Sequence, residues 1–292
     1  MRRGRAKTAV AVLLVLGLAL LAATYGGPWH PAGDSLSVGR PYLAALLLAL
    51  GLLWRGRVGW LAVAGGVVAL APMVWAAAVA DRPTAGVTIY QKNLLFALPD
   101  PSAIIADIRS AAPDVVLLAE LSNRNLAIPQ ALTDILPHQA ICPAHAVGAV
   151  AILSRWPMVD EDCRKGHGAV AARVVTPGGP LTVAALHLHW PWPFGQAAQV
   201  DRLLPWLEAL PRPAVVGGDF NAVPAAQVVR HIADATGTRR AGPLRPSFFL
   251  KSVLPVTIDH VLTPAGLRAR SEMRPDLGSD HRGQIVTLEM AP

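Results

Sequence analysis

A chain of 292 residues that is 53% apolar, with a net charge of +7, has room for one large domain or a modest domain with an appendage. Two cysteines, Cys142 and Cys163, argue against a structural zinc centre, which needs three or four ligands at close spacing. Residues 1–80 hold seven Lys/Arg (Arg2, Arg3, Arg5, Lys7, Arg40, Arg55, Arg57) against Asp34 alone; nineteen basic and eighteen acidic residues remain beyond them. That balance gives no reason to expect a broad basic groove for duplex DNA and leaves room only for a local patch.

Three apolar blocks open the chain, Thr8 to Ala23, Tyr42 to Trp54 and Val58 to Ala80. A bilayer-crossing helix needs ~20 mostly apolar residues, so the third spans easily and the first two do so with their flanks. A secretory signal peptide is the rival for the first block, with "MRRGRAK" as basic leader. The two blocks that follow favour a retained anchor of about three transmembrane helices over residues 1–81. The basic residues before the first span and Arg55 and Arg57 in the second connection belong inside, which puts residues 82–292 on the extracytoplasmic side of the cell membrane. Trp29, Trp54, Trp60 and Trp75 fall near span ends, where indoles favour the interface.

Beyond the anchor, "VTIYQKN" reads as a strand, "PSAIIADIRSAA" as a helix opened by Pro101, "DVVLLAEL" as a buried strand and "NLAIPQALTDIL" as a helix. Cys142 and Cys163 bracket an apolar run that reads as a hairpin able to bring them together; a disulfide and two buried thiols are both open. "AVAILS" is a strand within that run, and "AVAARVV" and "LTVAALHLH" pair across "TPGGP". "GQAAQVDRLLPWLEAL" is a helix with a kink at Pro205, leading into "PAVVGGDFN". Strands return at "VTIDHVLT", "LRARSEMR" and "RGQIVTLEM". The mixture of paired strands and helical crossovers predicts an α/β sandwich.

A polar residue stands at the far end of strand after strand: Asn93, Glu120, His187 and His189, Asp219 and Asn221, Asp259 and His260, Asp280 and His281. Each alone has an ordinary reading, such as a turn former, a cap or a satisfied core histidine. Strand ends that face one way collect a site from distant segments.

The set "QKN", "LLAEL", "LHLH", "GGDFN", "TIDHVL" and "GSDHR" resembles the endonuclease/exonuclease/phosphatase superfamily of DNase I-like nucleases, neutral sphingomyelinases and inositol polyphosphate phosphatases. The likeness runs from about Gly86 to Glu289. It implies a four-layer αββα sandwich and Mg²⁺-dependent hydrolysis of phosphate esters, with Mn²⁺ as a substitute ion. Glu120, Asn93 and Asp280 are the expected metal ligands. Asp219 is expected to act on the attacking water, Asn221 to contact phosphate, and His281, paired with Asp259, to sit on phosphate. His187 matches a second family histidine; His189 and His260 receive no role.

Such residues suit the chemistry. Attack on a phosphodiester builds negative charge on the non-bridging oxygens, which calls for a divalent cation, donors and a base for water. Gly283 departs from the proline common after "SDHR" and is expected to affect strand geometry. The expected partners are a phosphodiester (nucleic acid, phospholipid or other phosphate ester) and the bilayer, with the chain a monomer. "WPWPF" after His189 is expected to line the substrate mouth, to dip toward lipid, or to be a rigid exposed loop. A catalytically silent scaffold of the same fold is the competing function. A transporter fragment is weaker, because the spans carry no ionisable residue of the kind that marks a transport path.

Overall fold

The computed structural model describes residues 2–54, 56–78, 85–145 and 147–290. Four helices come first: α1 (Arg2–Ala23), α2 (Ala32–Ser37), α3 (Arg40–Trp54) and α4 (Arg57–Ala78). Among the described residues one helix, α4, is long and apolar enough to cross a membrane, with 22 residues and mean hydropathy 2.0. The apolar stretches Lys7–Ala23 and Arg40–Trp54 are shorter, so three spans do not follow from helix length. The 81/82 boundary and Arg55 lie outside the described residues.

The remainder runs β1 (Val87–Asn93), α5 (Ser102–Ala111), β2 (Val115–Leu121), α6 (Ala127–Ala131), β3 (His138–His145), β4 (Gly148–Ser154), β5 (Met158–Arg164), β6 (Ala169–Thr176) and β7 (Gly179–His187). It continues through α7 (Gln196–Ala209), β8 (Ala214–Asp219), α8 (Gln227–Thr236), β9 (Thr238–Arg240), β10 (Phe248–Leu250), β11 (Leu254–Val256), β12 (Asp259–Pro264), β13 (Ala269–Met273) and β14 (Gln284–Leu288). Two six-stranded sheets form, ordered β13-β14-β1-β2-β4-β3 and β5-β6-β7-β8-β12-β9, with β10 and β11 as a separate hairpin.

Burial patterns explain the stacking. Ile89, Leu117, Ile152 and Val286 of the first sheet pack with Val170, Val183, Val215 and Val261 of the second. The outer face of the first sheet is covered by α5 and α6 through Ile104, Ile108 and Ile128, and that of the second by α7 and α8 through Leu203, Leu207 and Ile232. Strands buried on both faces need near-continuous apolar runs, which is what β2 and β8 offer. The result is the expected αββα arrangement with two mixed sheets.

Each sheet centres on a parallel pair joined by a helical crossover, β1-α5-β2 and β7-α7-β8. The carboxyl ends of both pairs therefore lie on one edge. Antiparallel β12 starts there, with Asp259 opposite Asp219.

Several elements differ from the sequence expectation. The helix expected over "NLAIPQALTDIL" shrinks to the five residues of α6, which contains Pro129. The strand "VTIDHVLT" is broken between Val256 and Asp259, where the amides of Ile258 and Asp259 both donate to Ser247 Oγ at 3.1 Å. Cys142 and Cys163 are disulfide-bonded, with Cα atoms 5.4 Å apart. They lie on β3 and β5, at adjacent edges of the two sheets, so the bond fastens one sheet to the other rather than closing one hairpin.

The helical segment is tied to the sandwich. Helix α8 lacks a capping side chain of its own, and Asp34 supplies one: its carboxylate accepts from Gln227 N at 2.7 Å and Val228 N at 3.2 Å. An anion at the positive end of a helix satisfies otherwise orphaned N–H groups. Tyr42 donates to the Pro255 carbonyl, and Leu244 N donates to the Ala76 carbonyl at 2.9 Å.

Candidate active site

The strand-end residues meet where the topology brings the carboxyl ends of β1, β2, β7 and β8 together. Asp219 is central. Its Oδ1 accepts the Asn221 amide at 2.8 Å, and its Oδ2 accepts Asn93 Nδ2 at 2.9 Å. The same Oδ2 lies 3.8 Å from His187 Nε2 and 3.7 Å from His281 Nε2. Glu120 Oε1 is 3.8 Å from His187 Nε2 and accepts Asn93 Nδ2 at 3.0 Å, while Oε2 accepts the Phe96 amide at 2.8 Å. His281 Nδ1 meets Asp259 Oδ2 at 2.8 Å, and Asp259 Oδ1 accepts Gln91 Nε2 at 3.0 Å.

Unusual backbone aims these groups. Glu120 sits at φ +60°, within the irregularity that shifts the β2–β4 register between Leu118 and Leu121. Asn221 is at φ +47°. Left-handed backbone at non-glycine residues is uncommon and concentrates at functional sites. Gly218, at φ +145°, makes the turn into Asp219 possible: a Cβ there would stand 1.9 Å from the Leu186 carbonyl oxygen.

Seven of the eight residues singled out by sequence converge: Asn93, Glu120, His187, Asp219, Asn221, Asp259 and His281. Asp280 is exposed and outside both clusters of potential ligands, which are Glu120/His187/Asp219 and Asp219/Asp259/His281. Asn93 directs its amide nitrogen between the Glu120 and Asp219 carboxylates, because its oxygen accepts the Leu95 amide at 2.9 Å. It bridges the two acids through its N–H groups.

The donor set fits a hard divalent cation. Glu120 and Asp219 supply carboxylate oxygens of the kind Mg²⁺ prefers, the first partly and the second fully buried. Asn221 Nδ2 donates to Leu188 O at 2.9 Å, leaving its buried Oδ1 without a protein partner. A buried acceptor in that condition needs an ion, water or substrate donor.

Burial pushes the Asp219 carboxyl up to about 6, only partly offset by His281 and His187. His281 moves the other way. Burial works against its charged form, but Asp259 and Asp219 outweigh it and raise it to about 10. For Asp259, burial opposes ionisation and is overcome by the His281 charge and hydrogen bonds, so its carboxyl lies below the usual range. At neutral pH the pair is imidazolium and carboxylate.

The model of the "Endonuclease/Exonuclease/phosphatase family" matches residues 91–281, more than half of the chain. The chain belongs to this family. An endonuclease/exonuclease/phosphatase from Beutenbergia cavernae is 18% identical, with a TM-score of 0.57 over 70% of this chain and 72% of that one. Sphingomyelinase C from Streptomyces griseocarneus is 18% identical (TM-score 0.52; 70% and 99% covered). A beta toxin mutant from Staphylococcus aureus with bound magnesium ions is 14% identical (TM-score 0.53; 69% and 99% covered). At such identities the likeness is one of fold. No curated protein matches.

Further groups shape the site. Lys92 is fully buried, and its ammonium donates to the carbonyls of Pro275, Asp276 and His281 at 3.1, 2.6 and 2.8 Å. It thereby fastens the loop that carries His281. Gly283 leaves room for it: a Cβ there would come 3.1 Å from Lys92 Cδ. His260, buried and held neutral because burial lowers it to about 4, donates from Nε2 to Ala222 O at 2.8 Å and so braces the "GDFNA" turn. The Phe248 ring lies 4.7 Å from that of His281 and 6.1 Å from that of Trp190, which places the start of "WPWPF" beside the site.

A pH test follows from His281. Its folded-state pKa is raised from 6.5 to about 10, so its stabilising contribution is full below 6.5 and is lost as pH rises toward 10. The difference in urea midpoint between wild type and His281→Gln is expected to be largest near pH 6 and to narrow at alkaline pH. A gap that stays constant would remove the imidazolium from the account.

Proposed function

We propose that the protein is a membrane-anchored, Mg²⁺-dependent phosphoesterase that hydrolyses phosphodiester bonds on the extracytoplasmic side of the cell membrane. The observation that carries this reading is the convergence on Asp219 of Asn93, His187 and His281, with Glu120 joined through Asn93. Family membership supports the reaction class, and the basic residues flanking the helices support the orientation.

Glu120, with Asp219 beside it, would hold the ion. A bound Mg²⁺ supplies charge neutralisation at phosphate oxygens and lowers the pKa of a coordinated water. Asp219 takes the proton of the attacking water, and burial, which raises its carboxyl above the usual range, favours its acceptance of that proton. His281, kept protonated by Asp259, donates from Nε2 to a phosphate oxygen as negative charge grows there. His187 faces both acids and supplies a second donor. Asn93 keeps the two carboxylates in register.

Among phosphate esters, a lipid head group is the substrate class the surroundings favour. Phe248 borders His281 and Trp190 borders Phe248, and Trp192, Phe194, Phe249, Val253 and Leu254 nearby in the chain are exposed. An apolar rim of this kind suits a phosphate presented at a lipid surface. The fold likeness to a sphingomyelinase C agrees with that choice. The test is release of phosphorylated product from phospholipid vesicles, RNA and plasmid, each with Mg²⁺ and with EDTA, followed by ³¹P NMR or gel. Metal-dependent cleavage of the vesicles is expected. Cleavage confined to nucleic acid would overturn the lipid assignment, and none on any substrate would return the fold to a scaffold role.

A further inference from the structure

A second cavity, distinct from the candidate active site, lies between the N-terminal helices and the sandwich. It measures about 460 Å³ and is walled by Ala69, Pro72 and Met73 of α4 and by Val223 and Pro255 of the catalytic domain. That volume falls within the range of small-molecule sites and suits part of a lipid, such as a phosphate and a stretch of acyl chain. None of the residues gathered around Asp219 lines it.

Its two charged groups are cationic and stand beside the hydroxyls of Tyr25, Ser37, Tyr42 and Thr257. Arg40 and Arg240 both line the cavity, and neither has a carboxylate within salt-bridge distance among the described residues. Arg240 donates only to the carbonyls of Ala241 and Pro243, at 3.3 and 3.2 Å. Arg40 donates to Thr24 Oγ1 at 3.0 Å and to the Thr24 carbonyl, and stacks 3.9 Å over the Tyr25 ring. Close by, Arg245 likewise donates to backbone alone, at Ala77 and Leu244. Asp34, the acid of the anchor, has both oxygens engaged by α8. Carbonyls satisfy guanidinium N–H groups without neutralising the charge; Asp34 partly offsets that of Arg40, whereas burial alone acts on Arg240, and a partly buried cation left so is costly.

We propose that this cavity binds one anionic glycerophospholipid of the surrounding bilayer. An acyl chain lies along the apolar wall of α4, and the phosphate pairs with Arg240. The inference rests on the membrane reading given above. It favours a lipid over a soluble anion because one wall is the helix long and apolar enough to span, and the charges stand at the end of that helix facing the domain.

The test is native mass spectrometry of the full chain purified in detergent, with equal concentrations of phosphatidylglycerol and phosphatidylcholine added. One phosphatidylglycerol per chain is expected, retained about tenfold better than phosphatidylcholine, which corresponds to one or two charge-assisted hydrogen bonds. Arg240→Gln is expected to erase most of that preference and Arg240→Lys to keep part of it. Ala225→Trp, projecting into the cavity, should exclude both lipids. Equal retention of the two lipids, unaffected by these substitutions, would overturn the proposal and leave only annular lipid. Carbonate washing of lysed cells separates the two readings. A chain released by carbonate fails the membrane reading and this proposal together, whereas a chain that stays in the membrane and retains no phosphatidylglycerol fails this proposal alone.

Discussion

Asp219→Asn is expected to lower kcat by about 10³-fold, the scale of losing a general base, while far-UV circular dichroism stays unchanged. The isosteric amide keeps an oxygen for the Asn221 amide but presents N–H where Oδ2 accepted from Asn93. It removes the group that takes the water's proton and also the charge facing His187 and His281 at 3.8 and 3.7 Å. Both effects act on the chemical step, so single-turnover rates at saturating substrate are the measurement. A loss below tenfold would take Asp219 out of the base role and return "GDFN" to a strand-ending turn.

Gly218→Ala is expected to be the most damaging small substitution to stability, at about 4 to 5 kcal/mol, the exceptional end of single-residue effects. Two causes add. The backbone is at φ +145°, and the new methyl would stand 1.9 Å from the Leu186 carbonyl oxygen, inside the β7–β8 ladder where that strand pair holds His187 opposite Asp219. Relief would require separating the two strands that align the site. Chemical denaturation of Gly218→Ala beside Gly166→Ala, where an added Cβ meets nothing within 4 Å, separates steric from backbone cost. Comparable losses in both would place the cost in conformation alone.

The sandwich could be read from the chain because its central strands announce themselves. β2 and β8 are short apolar runs, and their polar terminal residues share an edge as soon as two crossovers are assumed. Other features depend on contacts that local pattern does not carry. Lys92 sits inside a strand, but its three carbonyl partners are more than 180 residues downstream. Helix α8 is not legible locally although Val228, Val229 and Ile232 are its buried face, because Arg230, His231 and Asp234 interrupt any apolar run and its cap comes from Asp34, 193 residues earlier. The left-handed turn at Glu120 leaves no mark in "LLAEL", since glutamate is not a residue that favours it. Asp280 shows the converse: its place in "SDH" made it a candidate ligand, and the fold leaves it exposed.

The account turns on Glu120 as the holder of a catalytic metal ion, which a Mg²⁺ titration of activity measures most directly. EDTA is expected to abolish turnover and added Mg²⁺ to restore it. Glu120→Gln should raise the Mg²⁺ concentration for half-maximal rate by at least about tenfold, the lower range for loss of a metal-site carboxylate interaction. Asp219→Asn, which removes the base as well as a charge beside the ion, should depress the maximum rate in addition to raising the midpoint. Turnover that survives EDTA, or a Glu120→Gln variant with wild-type rate and midpoint, would contradict it.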